Sequence, residues 1–146
     1  PKSTAVTFSP PFADKLFFVY RGQKKDSAQG IRSFNELTEN SDLSAIVEQF
    51  SALTEQLAQS KDFDTFCVLM EQHEQLLSGL LLQSPVKTNF PDFNGKLKSL
   101  GAWGGDFMLA MSEEGTTAVK DYFKGKGLNT VFEYHELVLS ESKSKA

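Results

Sequence analysis

The chain has 146 residues, of which 40% are hydrophobic and 23% are charged, and its formal net charge is −4. A chain of this length buries about two-thirds of its unfolded surface, which is enough for one core, so we expect a single domain over residues 1–146. The acidic balance argues against nucleic acid as a partner, because polyanions bind clustered Lys and Arg. With one cysteine, Cys67, an intrachain disulfide is excluded and a reducing compartment is favoured.

The sequence predicts neither a membrane segment nor a metal site. The apolar run Leu76–Leu82 is shorter than the about 20 residues that a membrane span needs, and the N-terminus lacks a secretory signal pattern. The two histidines and the cysteine lack the spacing of zinc ligands. We therefore expect a cytoplasmic chain in which Cys67 is a core residue of an apolar helical stripe rather than a nucleophile.

The first half of the chain reads as one strand followed by helices. Leu16–Tyr20 is a compact apolar run typical of a buried strand, and Asp26 with Gln29 resembles a capping box for a short helix to about residue 37. Residues 42–59 carry apolar side chains with a period of about 3.6, which predicts an amphipathic helix. The pattern repeats from Phe63 to Leu81, so we expect a second long helix that packs antiparallel to the first.

The second half reads mainly as strands. Residues 83–95 contain prolines, asparagines and a glycine, which indicates an irregular connection. Residues 96–100 and 106–111 are predicted strands. Ser112–Glu114 provides a cap and an acidic first turn for a helix that ends at Gly125–Gly127.

The predicted order of elements indicates the fold class. Thr130–Leu139 is the last predicted strand, and residues 140–146 form a polar tail that we expect to fray. The resulting order is strand, helices, strand, strand, helix, strand. That order predicts an α+β domain of the ferredoxin-like, split βαβ class, with an antiparallel sheet covered on one face by helices.

The segment from Lys98 to Phe107 is the most informative part of the sequence, because it places three glycines and a carboxylate between two predicted strands. Glycine tolerates positive φ and lets a backbone approach a ligand closely. The segment is therefore either a tight hairpin turn or a loop whose backbone amides meet an anion.

This segment resembles the third motif of the GHMP kinases, which phosphorylate galactose, homoserine, mevalonate and phosphomevalonate. The motif usually reads Lys-Leu-Thr-Gly-Ala-Gly-Gly-Gly. Trp103 replaces one of its glycines, and Asp106 resembles an acidic variant of some members. The positions that match the motif are Lys98, Gly101, Ala102, Gly104 and Gly105.

Other segments extend the resemblance to about residues 15–140. Met70–Leu77 is similar to the Met-x-x-(Ser/Asn)-His-x-x-Leu pattern of several members, and Ser84-Pro85 stands where a Val-Ser-Pro segment often follows. Leu16–Tyr20 followed by Lys24–Ser27 looks like the strand and helix start that open the C-terminal domain of these kinases.

The resemblance implies that the chain is the C-terminal half of an ATP-dependent kinase, a transferase acting on an alcohol or phosphate of a mevalonate-like metabolite of isoprenoid biosynthesis. The main phosphate-binding segment of the family, Pro-x-x-x-Gly-Leu-Gly-Ser-Ser-Ala, lies in an N-terminal half and does not occur here. ATP and Mg²⁺ are therefore expected in the intact enzyme, with none bound to this fragment, which should be inactive alone. The implied partner is the N-terminal kinase domain of the same protein, and an exposed face left by its absence would allow a homodimer.

The resemblance also implies the site residues. The backbone of Gly101–Gly105 would lie against phosphate, and His73 and Asp106 would face substrate, whereas no catalytic residue is assigned to this chain. His73 stands in an apolar helical stripe, where a core role is the alternative. Asp106 has as its alternative the capping of a turn.

Two further functions stay open on the sequence. One is a free-standing ferredoxin-like module that binds a small anion through the glycines or regulates another protein. The other is an assembly domain that uses its sheet or paired helices as an interface. Fold class by itself does not choose among the three.

Overall fold

A computed structural model describes residues 9–22, 44–100 and 106–138. The predicted helix beginning near Asp26, the segment Gly101–Gly105 and the tail at 140–146 lie outside these ranges. The described strands and helices, in chain order, are β1 Leu16–Tyr20, α1 Ser44–Gln59, α2 Phe63–Leu81, β2 Lys96–Ser99, β3 Phe107–Met111, α3 Thr116–Gly125, β4 Val131–Glu133 and α4 Tyr134–Leu137.

The four strands of the described ranges form one sheet in the order β2-β3-β1-β4, and every neighbouring pair is antiparallel. Leu16 stands opposite Met111, and Phe18 stands opposite both Leu109 and Phe132. With helices between β1 and β2 and between β3 and β4, this is the β-α-β-β-α-β arrangement. The predicted α+β, ferredoxin-like class is confirmed.

Other elements pack on both faces of the sheet, which amends the expectation of a sheet covered on one face. Successive side chains of a strand point to opposite faces, and on β1 and β3 both sets are apolar. One face packs on the connection after α2 and on α3, through Phe17, Val19, Met108, Ala110, Val119 and Phe123. The other packs on α2, through Phe12, Leu16, Phe66, Cys67, Leu109 and Met111.

Helices α1 and α2 form the predicted hairpin. The side chain of Asp62 accepts a hydrogen bond from the Thr65 N–H at 2.9 Å and so caps the start of α2. The ring centroids of Phe50 on α1 and His73 on α2 lie 4.9 Å apart, so the two helices pack side by side. None of the helices in the described parts of the chain is long and apolar enough to cross a membrane.

Two boundaries differ from the prediction. Helix α3 begins at Thr116 rather than near Ser112, because the Ser112 hydroxyl donates to the Asn94 carbonyl and accepts from the Glu114 N–H in the preceding turn. The last strand ends at Glu133, where a capping box between Glu133 and Glu136 begins α4. A cap that satisfies the first amides of a helix competes with continued strand pairing, and here the helix forms in place of the strand.

Candidate functional site

One end of the sheet gathers the polar residues that the sequence singled out. The strands are antiparallel, so the end of β1, the end of β2 and the start of β3 lie together. The Arg21 N–H donates to the carbonyl oxygen of Asp106 at 2.5 Å, which joins the residues just beyond β1 and just before β3. Residues 101–105 connect β2 to β3 at this same end, although they lie outside the described part of the chain.

Among the described residues at this end, Glu74 of α2 is the most buried polar side chain, with 2% of its surface exposed. Its carboxylate accepts hydrogen bonds from the Val86 N–H at 3.0 Å and from the Ser99 N–H and Ser99 hydroxyl, each at 3.1 Å. It therefore joins α2 to the beginning of the short 3₁₀ turn Val86–Asn89 and to the last residue of β2. A buried carboxylate needs such partners, since burial of an unpaired charge is strongly unfavourable.

Lys98 supplies the opposite charge. Its ammonium lies 3.3 Å from the Glu74 carboxylate and donates a hydrogen bond to the Ser99 carbonyl at 2.8 Å. Burial lowers the pKa of Lys98, and the Glu74 carboxylate opposes that change. The motif resemblance matches Lys98 to the basic residue before the glycines. In the structure Lys98 forms a buried ion pair with Glu74.

His73 precedes Glu74 but lies on the side of α2 that contacts α1. It is half-buried against Phe50, and its Nδ1 is buried without a hydrogen-bond partner among the described residues. Burial lowers the pKa of His73, the Lys98 ammonium lowers it further, and Glu74 acts in the opposite direction. The neutral imidazole is therefore favoured, and the predicted substrate role of His73 stays a prediction.

Asp106 stands directly before β3 and is half-buried. Its Oδ1 is buried and has no hydrogen-bond partner within the described ranges. An unpaired buried carboxylate oxygen is unusual in a folded protein and marks a place where a ligand group or water can bind. The two alternatives for Asp106, substrate contact and turn cap, both stay predictions because the turn lies outside the described residues.

Sequence reasoning assigned no role to Glu74 or Arg21, although both lie in this cluster. Burial lowers the pKa of Arg21 while the Glu74 carboxylate raises it, so the two groups interact. A signal for Glu74 was present in the sequence. Glu74 occupies the helical spacing of the apolar stripe that runs through Cys67, Met70, Leu77 and Leu81. A charged residue in such a stripe must be paired if it is buried.

The opposite end of the sheet carries a shallow groove of about 590 Å³. Its lining includes Phe63, Cys67, Gly95, Lys96, Met111 and Glu113. Burial, with a smaller contribution from nearby carboxylates, raises the pKa of Cys67 to about 11. The thiol is buried in the core and carries no thiolate character at neutral pH, which confirms the predicted core role.

Comparison with known proteins supports the fold. No protein-family model and no curated protein matches the chain. Among solved structures, the mevalonate kinase of Methanococcus jannaschii superposes with a TM-score of 0.57 at 18% identity over 83% of this chain. A second mevalonate kinase gives a TM-score of 0.55 at 18% identity over 80% of this chain.

The chain shares its fold with part of a mevalonate kinase. It spans 39% and 38% of the lengths of the two kinases. The fold that the resemblance implied is thus confirmed. An identity of 18% carries no residue roles from those enzymes to this chain.

Proposed function

We propose that this chain is the C-terminal domain of an ATP-dependent small-molecule kinase of the GHMP type, with a mevalonate-like alcohol or phosphate as substrate. The observation that carries the proposal is the agreement of two independent features. The fold matches part of two mevalonate kinases, and the glycine-rich segment that resembles the third kinase motif connects β2 to β3 at the polar end of the sheet.

The polar end of the sheet has chemistry that suits this function. Positioning and electrostatic stabilisation supply most of the catalysis in phosphoryl transfer, so a domain contributes by holding backbone amides and a few charged groups in place. Asp106 offers a buried carboxylate oxygen with no partner in the described ranges. That oxygen fits a role in orienting a substrate hydroxyl next to the glycines.

In this proposal ATP and Mg²⁺ bind to the intact enzyme, and the N-terminal kinase domain would provide most of their contacts. Mg²⁺ would neutralise charge on the transferred phosphoryl group. Among the described residues, no group of three or more His, Cys, Asp or Glu side chains could hold a metal ion. Lys98 does not suit phosphate, because its ammonium is already paired with Glu74. Arg21 suits an anionic group better, since guanidinium binds phosphate in a bidentate manner.

The proposal is tested by comparing the natural full-length protein that contains this chain with the 146-residue chain alone. Each is assayed for ATP-dependent phosphorylation of mevalonate, phosphomevalonate, homoserine and galactose. We expect the full-length protein to phosphorylate a mevalonate-like substrate and the isolated chain to be inactive. Failure of the full-length protein on the whole panel would overturn the kinase proposal. Turnover by the isolated chain would overturn the assignment of a required N-terminal half.

Gly104 and Gly105 provide the site-level test. If their backbone passes close to phosphate, Gly104→Ala and Gly105→Ala should reduce turnover of the full-length protein far more than their loss of stability explains. A hairpin turn without a phosphate role would lose stability and little else. A cytoplasmic location and a homodimer of the isolated chain stay predictions, and light scattering checks the second.

A further inference from the structure

The last residue of β2 has an outward-facing backbone. Among the described strands, β2 is at the edge of the sheet and pairs only with β3. The Leu100 N–H donates to the Phe107 carbonyl, so the even-numbered residues of β2 direct their backbone groups toward β3. Alternation then directs the N–H and carbonyl of Ser99 away from the sheet, where no strand of the described ranges is available to pair with them.

The side chains of Glu74 and Lys98 instead supply hydrogen-bond partners for the backbone of Ser99. The Glu74 carboxylate accepts from both the N–H and the hydroxyl of Ser99, and the Lys98 ammonium donates to the Ser99 carbonyl. We call this arrangement of Glu74, Lys98 and Ser99 the edge clamp. All three residues are buried, with 2%, 6% and 5% of their surfaces exposed respectively. Hydrogen bonds to charged groups are stronger than neutral ones, and burial removes the water that would otherwise compete with them.

The edge clamp also has a second anchor. The Val86 N–H donates to the same Glu74 carboxylate at 3.0 Å, so the end of β2 is fixed to both α2 and the connection that follows it. Ser99 lies two residues before Gly101, the first glycine of the segment that leads to β3. A shift of Ser99 would therefore be transmitted to the backbone that enters this segment.

We propose that Glu74 is a positioning residue: acting through Ser99, it fixes the end of β2 and so sets where the glycine-rich segment departs from the sheet. This role rests on the proposed kinase function. Glu74 is assigned no contact with the reacting groups. Its loss is therefore expected to reduce kcat through misplacement of the backbone, with little change in the KM for either substrate.

The test uses the natural full-length protein and five variants, two of which are Ser99→Thr and the double variant Glu74→Gln/Ser99→Ala. Glu74→Gln keeps the shape of the side chain but directs an amide donor at Lys98 or at Ser99. Ser99→Ala removes only the hydroxyl. Glu71→Gln is the matched control, because Glu71 is on the same helix and pairs with Lys96 at 3.0 Å in an exposed ion pair.

We expect Glu74→Gln to lower kcat by about 10- to 100-fold, as small displacements near a reacting centre do. Both KM values should stay within about twofold, and Glu71→Gln should behave as the wild type. Ser99→Ala should lower kcat by a smaller factor, and Ser99→Thr, which keeps the hydroxyl, should have a kcat close to that of the wild type. The double variant Glu74→Gln/Ser99→Ala should be no slower than Glu74→Gln, since both act through one contact. If Glu74→Gln does not fold, Ser99→Ala and Ser99→Thr alone decide the outcome.

Amide hydrogen exchange provides a readout that does not depend on turnover. In Glu74→Gln the exchange of the Ser99 amide should accelerate by a larger factor than that of Val19 in the central strand β1, which reports on global unfolding. Unchanged kcat in an active enzyme, or reduced kcat with unchanged Ser99 exchange, would overturn the positioning role while leaving the kinase proposal intact. A wild-type protein without kinase activity would overturn both, even if the exchange of Ser99 increased.

Discussion

Gly95 provides a stringent test of how closely the start of β2 packs on β3. The residue has a φ of +152°, which side chains with a Cβ rarely adopt. A Cβ at this position would overlap the carbonyl oxygen of Met111 and lie 2.8 Å from a ring carbon of Phe93. Met111 is paired with Lys96 in the sheet, so its carbonyl cannot move away without disturbing the β2–β3 register. Gly95→Ala should therefore destabilise the fold.

The magnitude follows from two effects. An unfavourable backbone conformation costs about 1–3 kcal/mol, and overpacking of a filled site costs about 1–3 kcal/mol more. We thus expect Gly95→Ala to lower the free energy of unfolding by about 2–6 kcal/mol, a large share of the stability of a typical domain. Urea denaturation followed by circular dichroism measures the change as a shift in midpoint at constant m-value.

Gly79→Ala is the matched control, because Gly79 is an exposed residue inside α2 and its added methyl group would meet no neighbouring atom within 4 Å. Alanine in a helix interior is favoured over glycine by about 0.5–1 kcal/mol, so this variant should be more stable than the wild type. The reasoning is refuted if Gly95→Ala unfolds within about 0.5 kcal/mol of the wild type, which is the range of neutral surface substitutions.

Three further predictions concern the titratable residues. Because the pKa of His73 is lowered from 6.5, the unfolded state binds the proton more readily, and stability should rise with pH from the folded pKa up to about 6.5. His73→Gln should remove that part of the pH dependence in denaturation measured from about pH 5 to 8; an unchanged slope would contradict it. Cys67, with a pKa raised to about 11, should react with iodoacetamide at about pH 8 far more slowly in the native chain than in urea, and equal rates would exclude the buried thiol. Asp106→Asn should leave the melting temperature nearly unchanged yet lower turnover in the full-length protein, whereas loss of stability with normal turnover would indicate a turn cap.

Periodicity predicted the helices and the central strands because burial there follows one simple geometric rule. Leu16–Tyr20 and Phe63–Leu81 match their predicted bounds, since continuous apolar runs and a 3.6-residue period each favour one structure. The end of β4 could not be predicted in the same way. The prediction continued the last strand to Leu139, but the reciprocal bonds between Glu133 and Glu136 favour a helical turn.

The second covered face of the sheet was missed for a related reason. A strand buried on both sides shows no polar alternation, and Phe107–Met111 is apolar at every position. One-sided burial was inferred from the fold class instead of from the strand itself. The contacts of Glu74 could not be predicted, because its three protein partners, at positions 86, 98 and 99, are 12 to 25 residues away along the chain. Spacing within one helix marks such a carboxylate as buried but cannot name what pairs with it.

The chemistry of the two ends of the sheet favours the glycine-rich end as the functional one. At the groove end, Lys15 pairs with Glu113 and Lys96 with Glu71, and these ion pairs are exposed, so water solvates them and they contribute little stability. At the other end the Glu74–Lys98 pair is buried, and such a pair often stabilises a fold no better than apolar residues would. Stability alone therefore gives little reason for a buried ion pair there. A stronger reason is that the pair holds one edge-strand residue, Ser99, in a fixed place. Ser99 lies at the same end of the sheet as Asp106, whose carboxylate oxygen lacks a partner in the described ranges.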